Sequence, residues 1–386
     1  MAGAVDIGGA MKFLHTADWQ LGMTRHFLDA DAQPRYTGAR IDAIRRLGEI
    51  AAAQDCDFVL VCGDVFESNA VSPRIISRSL EAMRSISVPV YLLPGNHDPL
   101  DAASIYTSAT FLAARPDHVH VLSEPGLHSV GPGVEIVAAP WFSKRPLTDL
   151  VAEVTSDLVA DGTLRIVAAH GSSDTLSPDA ANPALIRMAP LEAALTDGTI
   201  HYVALGDRHS PTSVGSSGRI WYSGAQEVTD YDEINPGQVL VVDLEIGSAP
   251  QVTEHQVGEW SFLNLSAHMN GPDDLLALEN SLTSHSAKER KVVRLSLTGT
   301  LGLKDKAALD ALLESHTQLF AALNLWDRHT HLAVHLDGDE LTDLGVSGFA
   351  GAAVTELSRL ARSEDEQAIT AQNALSLLYR LAGGAK

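Results

Sequence analysis

The stretch Phe58-Val-Leu-Val-Cys-Gly-Asp-Val-Phe-Glu67 is the most informative segment of this 386-residue chain for its fold. An apolar run comes first, and Gly63-Asp64 then ends it, which predicts a buried strand over Phe58–Cys62 that enters a loop. Similar short apolar runs recur through the first two-thirds of the chain and alternate with helical stretches. This alternation predicts an α/β layered domain.

The other strands and helices of this region follow from the same two periodicities. Helices are predicted over Ala39–Ala53, where Ile41, Ile44 and Leu47 share one face, and over Pro73–Ser85. The further predicted strands are short apolar runs: Phe13–His15, Val90–Leu93, Glu135–Ala138, Arg165–Ala169, Tyr202–Leu205, Ile220–Tyr222 and Val239–Leu244.

The pattern changes near residue 255, and a chain of this length favours two domains. Strands over Trp260–Leu265, Val292–Leu297 and His331–Leu336 alternate with helices over Asp273–Leu282 and Lys304–Leu323. This β-α-β-α-β order predicts a smaller α+β second domain. The predicted divisions are a disordered extension over 1–10, a first domain over 11–255, a second over 256–363 and a terminal segment over 364–386.

The terminal segment contains an amphipathic helix over Asp365–Leu381. Leu377, Leu378 and Leu381 lie on one face of it together with Ala374. That face could pack on its own domain or dock on a partner, and the sequence leaves both alternatives open.

Composition excludes several classes of protein. No run of about 18 or more uncharged apolar residues occurs, so we expect no membrane span. The first ten residues lack a basic start and a long apolar block, so we do not expect a signal peptide. Cys56 and Cys62 are the only cysteines and belong to a predicted buried strand or its flank, which suggests a reducing cytoplasm.

The formal net charge of −22 argues against broad electrostatic binding to nucleic acid, which depends on lysine and arginine. It leaves room for a local basic strip, for metal ions that carry the positive charge, or for a partner subunit that supplies the DNA-binding surface.

Five short polar blocks each follow a predicted strand. They are Asp18-Trp19-Gln20, Gly63-Asp64-Val65-Phe66-Glu67, Gly95-Asn96-His97-Asp98, His170-Gly171 and Gly206-Asp207-Arg208-His209. Each block alone is a weak signal, because a single such residue usually caps a helix or a turn. Ligands of α/β sheets bind at the carboxyl ends of strands, so the five together predict one shared site. Carboxylate, amide and imidazole donors suit divalent Mn, Fe or Zn.

These blocks resemble the calcineurin-like metallophosphoesterase family, whose pattern is Asp-x-His, Gly-Asp-x-x, Gly-Asn-His-Asp/Glu, a later His and Gly-His-x-His. The longer versions His15-Thr-Ala-Asp-Trp-Gln-Leu-Gly22 and Gly63-Asp-Val-Phe-Glu67 are similar to SbcD-type nuclease subunits, which process DNA double-strand ends with an SbcC-type coiled-coil ATPase. The strong motifs span about residues 13–224. Beyond residue 255 the resemblance is one of length and layout only.

The resemblance implies a layered metallophosphoesterase sandwich of two central sheets flanked by helices, with a smaller C-terminal α+β capping domain. Residues 11–255 would be the catalytic domain, 256–363 the capping domain and 364–386 a segment that docks on the ATPase. The implied partners are DNA, the SbcC-type ATPase and a second copy of the chain in a homodimer.

The resemblance also assigns roles to individual residues. It implies two divalent metal ions, with Mn favoured and Mg or Fe as alternatives. Asp64 would bridge the ions. The ligands of the first ion would be Asp18, Gln20 and His209, and those of the second Asn96, His170 and Asp207. His97 would protonate the leaving oxygen or stabilise the transition state, with Asp98 orienting its ring. A metal-bound hydroxide would attack phosphorus in line.

Two positions depart from the family pattern. Gln20 stands where the first motif has His, and Asp207 stands where the last motif has its first His. Both changes replace imidazole with an oxygen donor, which favours Mn or Mg over Zn. The alternatives are that the first ion binds weakly, in a slow or inactive enzyme, or that Gln20 is a spectator.

Other residues carry weaker signals. Arg25 and His26 follow the first motif and could contact a phosphate or lie in a solvated loop, and Arg208 could meet the substrate or simply be exposed. The tryptophans near the motifs could stack on bases or be half-buried packing; these are Trp19, Trp141 and Trp221.

Three functions remain in view. The leading one is a metal-dependent DNA exonuclease or endonuclease subunit. The second is a phosphodiesterase or phosphatase that acts on small nucleotides or phosphoproteins. The third is a weakly active or non-catalytic scaffold for an ATPase partner, which only Gln20 and Asp207 support.

Overall fold

The computed structural model describes residues 10–179, 181–335, 348–363 and 367–383. The chain divides into two compact units. The first contains the described residues up to His26 together with those of Gln33–Trp260, and the second contains Phe27–Ala32 and the described residues from Ser261 onward. The first unit therefore continues past the predicted boundary at residue 255. Residues 1–9 of the predicted extension lie outside the described residues, and Ala10 begins the first strand.

Two six-stranded sheets form the first unit, with strand orders β12-β11-β1-β2-β3-β4 and β5-β6-β7-β8-β10-β9. The strands of the first sheet are β1 Ala10–Thr16, β2 Phe58–Cys62, β3 Val90–Leu93, β4 Val119–Val121, β11 Gln238–Glu245 and β12 Gln251–Gln256. Those of the second are β5 Gly126–Gly131, β6 Val134–Ala138, β7 Leu164–His170, β8 Tyr202–Gly206, β9 Thr212–Val214 and β10 Ile220–Tyr222.

Helices flank both sheets. The helices of the first unit are α1 Ala32–Ala53, α2 Pro73–Met83, α3 Ala109–Ala114, α4 Leu150–Thr155 and α5 Met188–Thr196, with a 3₁₀ turn over Ile105–Thr107. Helix α1 begins earlier than predicted, at Ala32, whose amide donates to the Asp29 carboxylate. Ile41, Ile44 and Leu47 are buried on one face of α1, as predicted. The α/β sandwich of two sheets flanked by helices is confirmed.

Side chains that alternate along each strand build three apolar layers. Leu14 and Val59 face the helices that cover the first sheet. Phe13 and Phe58 point the other way, into the layer between the two sheets, where their rings stack 5.1 Å apart. The outer face of the second sheet packs under α4 and α5 through residues such as Val167. This burial keeps the sheets in a fixed stack, so their strand ends have fixed positions.

The second unit has one four-stranded sheet in which β14 is central. Its strands are β13 Ser261–Met269, β14 Lys291–Gly302, β15 Ala322–Leu325 and β16 His331–His335. Its helices are α6 Pro272–Ser284, α7 Leu303–Thr317, α8 Gly348–Ala361 and α9 Gln367–Gly383, with 3₁₀ turns over Lys288–Arg290 and Asp327–His329. All the pairings in this sheet are parallel.

One helix prediction in this unit is wrong in extent. The helix predicted over Lys304–Leu323 ends at Thr317, and Ala322–Leu325 form β15 instead. Ala and Leu favour helices, but parallel pairing of Val292 with Ala322 overrides that local preference. Leu336, the predicted end of the last strand, lies outside the described residues, as do residues 365 and 366 of the predicted terminal helix.

Helix α9 buries part of its apolar face within its own unit. Ala371 and Leu375 pack with Val354 of α8 and Leu303 of α7, and Leu378 is partly buried there. Leu377 and Leu381 remain exposed. No helix among the described residues is long and apolar enough to cross a membrane.

Burial of His15 between the sheets makes unfolding sensitive to pH. Its ring bonds to Tyr202 Oη and to the Leu205 carbonyl of β8, and desolvation lowers its pKa from 6.5 to about 3. The unfolded chain therefore binds a proton that the folded chain does not bind between these two pH values. Stability from this group is complete above pH 6.5 and is lost as the pH falls toward 3.

We expect His15→Asn to remove up to about 1.4 kcal/mol per pH unit from the pH dependence of the unfolding free energy in that window. Urea unfolding at several pH values measures this, with the exposed His331→Asn as the matched control. An unchanged slope in His15→Asn would show that this ring is not the group that titrates.

Candidate metal and active site

Parallel strands bring the predicted motifs to one edge of the first unit. Strands β1 to β4 run parallel in the first sheet, and β6, β7, β8 and β10 run parallel in the second. The motif loops follow β1, β2, β3 and β8 directly, and His170 is the last residue of β7. Backbone bonds from Asp18 N to Gly63 O (3.1 Å) and from Gln20 N to Asp64 O (2.8 Å) tie the first two loops together.

Four of the predicted ligands have left-handed backbone conformations. The φ angles are 53° at Asp18, 42° at Gln20, 54° at Asp64 and 98° at Asp207. Asp tolerates this region better than most residues, but each such residue still costs about 1–3 kcal/mol. Such strain persists only where the surrounding structure enforces it, and it concentrates at functional sites.

His170 lies at the centre of one half of the cluster. Its Nε2 is 2.6 Å from Asn96 Oδ1, 3.4 Å from Asp64 Oδ2 and 3.9 Å from Asp207 Oδ1. Asp18, Asp64 and His170 each offer a ligand atom, and these atoms lie within 4.8 Å of one another. The residues predicted for the second ion are therefore together.

The other half of the cluster surrounds His209. Its Nε2 is 3.9 Å from Asp18 Oδ1 and 3.3 Å from Gln20 Nε2. The Asp18 carboxylate accepts a hydrogen bond of 3.0 Å from the Asp207 amide, which joins the two halves. The residues predicted for the first ion are therefore together as well.

Contacts with Cys62 and Trp141 fix the orientation of the His170 ring. Its Nδ1 bonds to the Cys62 carbonyl at 2.9 Å, so this nitrogen carries the proton and Nε2 faces the carboxylates. Trp141 packs edge-to-face on the ring and donates from Nε1 to the His170 carbonyl at 2.7 Å. This arrangement is typical of a histidine that ligates a metal through Nε2.

Burial and charge shape the protonation of the cluster. Burial raises the pKa of Asp18 to about 6, although His209 and His170 oppose the shift. Burial also favours the neutral form of Asp64, but His170 and His97 hold its pKa below the ordinary value. Burial disfavours the charged form of His170, yet Asp64 raises its pKa well above the usual range. The protonation of the Asp18 and Asp64 carboxylates therefore depends on the imidazoles beside them.

These donors fit divalent cations. Three carboxylates, two imidazoles and the amides of Gln20 and Asn96 converge, and oxygen donors predominate, as Mn and Mg prefer. Gln20 Oε1 is buried and has no hydrogen-bond partner among the described residues. A buried orphan acceptor is costly, and a cation at this position would satisfy it.

His97 stands beside the cluster, and its side chain is partly exposed. Its side chain is 37% exposed, and its Nε2 lies 3.9 Å from Asp64 Oδ2. Its Nδ1 bonds to the Glu67 backbone carbonyl at 2.9 Å, and the Glu67 carboxylate lies 4.0 Å away. The His97 amide donates to Asp64 Oδ1, which fixes the position of the ring relative to the cluster.

The expected contact between Asp98 and the His97 ring is wrong. Asp98 is fully buried, and its carboxylate accepts from Gly95 N, Phe66 N and Tyr106 Oη at 2.8, 2.9 and 2.6 Å. Burial and the charge of Asp64 raise the pKa of Asp98 to about 6. The side chain points into the protein because these three donors lie there, so it holds the motif loop and the ring contact falls to Glu67.

The residues with weaker sequence signals differ in burial and in hydrogen bonding. Arg25 is half-buried and donates from Nη2 to the Thr229 carbonyl, so it is partly engaged. His26 is exposed, and Arg208 is exposed with its Nε bonded to Thr212 Oγ1. Trp19 is fully buried and cannot stack on a base.

Trp141 and Trp221 are partly buried and bond to backbone carbonyls through their ring nitrogens. Packing therefore explains both of these side chains.

Several residues of this site were not predicted from the sequence. Thr229 and Glu233 contact His209 Nδ1, at 2.6 Å and 3.3 Å, and neither belongs to a recognisable motif. Glu67 belongs to the second motif block, but its contact with His97 is made by a backbone carbonyl, which sequence patterns do not reveal. The buried Arg40 donates to the Asp18 and Trp19 carbonyls, and its only signal was a charge on the apolar side of a helix.

Several known proteins are similar to this chain in sequence. The family model for calcineurin-like phosphoesterases matches residues 11–243. The SbcD component of nuclease SbcCD from Rhodobacter capsulatus is 28% identical over 291 residues, which are 62% of this chain and 68% of that protein. The Bacillus subtilis protein of the same name is 25% identical over 272 residues, covering 61% and 67%. DNA double-strand break repair protein Mre11 of Archaeoglobus fulgidus is 34% identical over 91 residues, 23% of this chain and 19% of its own length.

Substitution of Gly95 tests whether the loop that begins there must lie as close to Asp64 as the structure shows. A Cβ at Gly95 would lie 2.3 Å from Asp64 Oδ1 and 2.5 Å from Asp64 N. We expect Gly95→Ala to weaken Mn²⁺ binding and to lower the free energy of unfolding by about 1–3 kcal/mol, because the carboxylate must move. Calorimetric titration with Mn²⁺ and urea unfolding measure the two effects.

Gly38→Ala in helix α1 is the matched control, because no atom lies within 4 Å of its added Cβ. This variant should bind Mn²⁺ as the wild type does. Wild-type ion binding by Gly95→Ala would show that Asp64 is not held as described.

Proposed function

Because the chain belongs to the calcineurin-like phosphoesterase family, we propose that it is a divalent-metal-dependent phosphodiesterase and the nuclease component of an SbcCD-like DNA end-processing complex. Hydrolysis follows from the family. The DNA substrate, the complex and the residue roles are our proposals.

The observation that carries the proposal is the convergence of two ligand sets on Asp64 and Asp18 beside an accessible imidazole. His170 Nε2 and His97 Nε2 lie 3.4 and 3.9 Å from the same oxygen, Asp64 Oδ2. One imidazole is fully buried and fixed by a backbone carbonyl, as a ligand needs. The other is exposed enough to meet a substrate.

We assign Asp18, Gln20 and His209 to one ion and Asn96, His170 and Asp207 to the other, with Asp64 shared. When bound, divalent ions at such a site supply a nucleophile at neutral pH and neutralise phosphate charge. This chemistry lowers the need for lysine and arginine and is compatible with a net charge of −22.

His97 acts on the leaving oxygen. Its Nδ1 proton is fixed on the Glu67 carbonyl, so a second proton on Nε2 makes an imidazolium that the Glu67 carboxylate, 4.0 Å away, stabilises. The Nε2 proton then passes to the departing oxygen or stabilises its charge. Asp98 contributes indirectly, because its bonds to Gly95 N and Phe66 N hold the loops that carry His97 and Glu67.

The relatives support our proposal of DNA as the substrate and of a partner subunit. Two of them are named as components of a nuclease complex, and the third as a double-strand break repair protein. In the second unit, α8 and α9 leave large apolar side chains exposed: Phe349 at 92%, Ile369 at 69%, Leu377 at 52% and Leu381 at 67%. These residues support docking of the C-terminal segment on a coiled-coil ATPase.

We propose a homodimer, as the resemblance implies, and a cytoplasmic location. The location is supported by Cys56 and Cys62, both buried free thiols whose pKa values burial raises. We propose a capping role for the second unit on the same resemblance.

A scaffold with little activity is the second candidate, and Gln20 and Asp207 favour it because both depart from the family pattern. Gln20 Nε2 lies 3.3 Å from His209 Nε2, and Asp207 Oδ1 lies 3.9 Å from His170 Nε2.

The proposed function is tested with purified protein and Mn²⁺ on linear double-stranded DNA, single-stranded DNA, bis-p-nitrophenyl phosphate and p-nitrophenyl phosphate, with and without the ATPase partner. The proposal expects cleavage of DNA and of the diester. Cleavage of the small diester without any DNA cleavage in the presence of the partner would favour a small-substrate phosphodiesterase. Absence of all four activities with bound ions would favour the scaffold.

His97→Ala should lower kcat on the diester by about 10²–10⁴-fold, the usual contribution of a general acid. Mn²⁺ affinity should change little, because His97 is not among the proposed ligands. Steady-state kinetics and Mn²⁺ titration measure the two. His118→Ala is the matched control, because His118 bonds to Met83 away from the cluster. Unchanged kcat in His97→Ala would remove His97 from the mechanism.

Gln20→His with Asp207→His restores the family pattern and tests ion choice. We expect the double variant to bind Zn²⁺ more tightly relative to Mn²⁺ than the wild type does, because imidazole suits Zn²⁺ better than amide or carboxylate oxygen. Competition titrations with the two ions give the ratio. An unchanged ratio would mean that neither side chain ligates an ion.

A further inference from the structure

The segment Gln226–Glu233, which we name the strap, is held against helix α1 and the first motif loop. Arg40 is fully buried and donates to the Glu227 and Val228 carbonyls at 3.2 and 3.4 Å. Tyr36 Oη donates to the same Val228 carbonyl at 2.6 Å. Gln226 Nε2 donates to the Trp19 carbonyl at 3.3 Å, and Arg25 donates to the Thr229 carbonyl. The strap therefore has a fixed position beside Asp18.

Glu233 closes the strap on itself. Its carboxylate accepts from Thr229 N at 3.0 Å and from Asp230 N at 3.1 Å, and it also accepts from the Thr229 hydroxyl. The Glu233 side chain is only 7% exposed, so these bonds are shielded from water. The Thr229 hydroxyl proton therefore points toward Glu233.

The direction of that proton determines the tautomer of His209. A carboxylate can only accept, so the Thr229 hydroxyl donates its single proton to Glu233. The same hydroxyl oxygen must then accept from His209 Nδ1, 2.6 Å away. The neutral His209 ring therefore carries its proton on Nδ1, and its lone pair is on Nε2.

We propose that Thr229 and Glu233 are positioning residues that fix the Nδ1-protonated tautomer of His209 and so direct its Nε2 toward the ion held with Asp18 and Gln20. The inference rests on the proposed two-ion function. It predicts a selective effect. Loss of the Thr229 and Glu233 acceptors weakens binding of the ion at His209. Binding of the ion at His170 stays unchanged, because the Cys62 carbonyl fixes His170 independently.

The test compares Mn²⁺ binding to full-length variants by calorimetry and by electron paramagnetic resonance. Thr229→Val removes the hydroxyl with little change of shape. Because Glu233 Oε1 lies 3.3 Å from His209 Nδ1 and could replace it, Thr229→Val/Glu233→Leu removes both acceptors. We expect the double variant to bind one ion about 10–100-fold more weakly, the usual effect of removing such a partner. Thr229→Ser should retain wild-type affinity.

Thr253→Val and Glu153→Leu are the matched controls, since both residues are exposed on the same unit. Thermal unfolding in chelator separates positioning from stability. A selective loss of one ion, with a melting temperature close to the controls and rescue by Ser, supports the inference. If the double variant does not fold, Thr229→Val alone gives the comparison.

Three results would overturn the inference: two ions bound with wild-type affinity, equal loss of both ions with a lower melting temperature, or failure of Thr229→Ser to restore binding. Wild-type protein that binds no Mn²⁺ would instead contradict the proposed function itself, so the two failures are distinguishable.

Discussion

One hydrogen bond across the two sheets sets the geometry of everything around it. His170 ends β7 of the second sheet, and its Nδ1 bonds to the carbonyl of Cys62, the last residue of β2 in the first sheet. Only glycine fits at residue 63, because a Cβ there would lie 2.1 Å from His170 Nδ1. The two carboxyl edges therefore meet at one point, and Asp64, the next residue, is delivered directly to the His170 ring.

Bringing three carboxylates together in a largely buried site costs free energy, and this cost explains why the site suits cations. Asp18 and Asp64 are buried side by side with left-handed backbones, and Asp207 adds a third carboxylate. Burial raises the pKa of Asp18 to about 6, although the nearby His209 and His170 oppose the shift. Divalent ions would offset the repulsion and satisfy the buried oxygen of Gln20. Phosphate binding would then depend on the ions more than on basic side chains.

Sequence patterns predicted the positions that lie at strand ends and little beyond them. Asp18, Asp64 and His170 could be placed together because β-branched runs and glycines mark where parallel strands stop. The partner of His97 could not, because it is a backbone carbonyl of Glu67, and Asp98 turned toward three donors from folded loops.

The strap also escaped prediction, since Thr229 and Glu233 lie in an irregular segment that only tertiary contacts define. Strand β15 was missed for a related reason: pairing with β14, not local preference, decides its conformation.

The most direct test of the two-ion site is anomalous diffraction at the manganese edge from crystals grown with Mn²⁺. We predict two peaks about 3.5–4 Å apart on either side of the Asp64 carboxylate. A single peak, or none in contact with Asp64, would contradict a shared two-ion site.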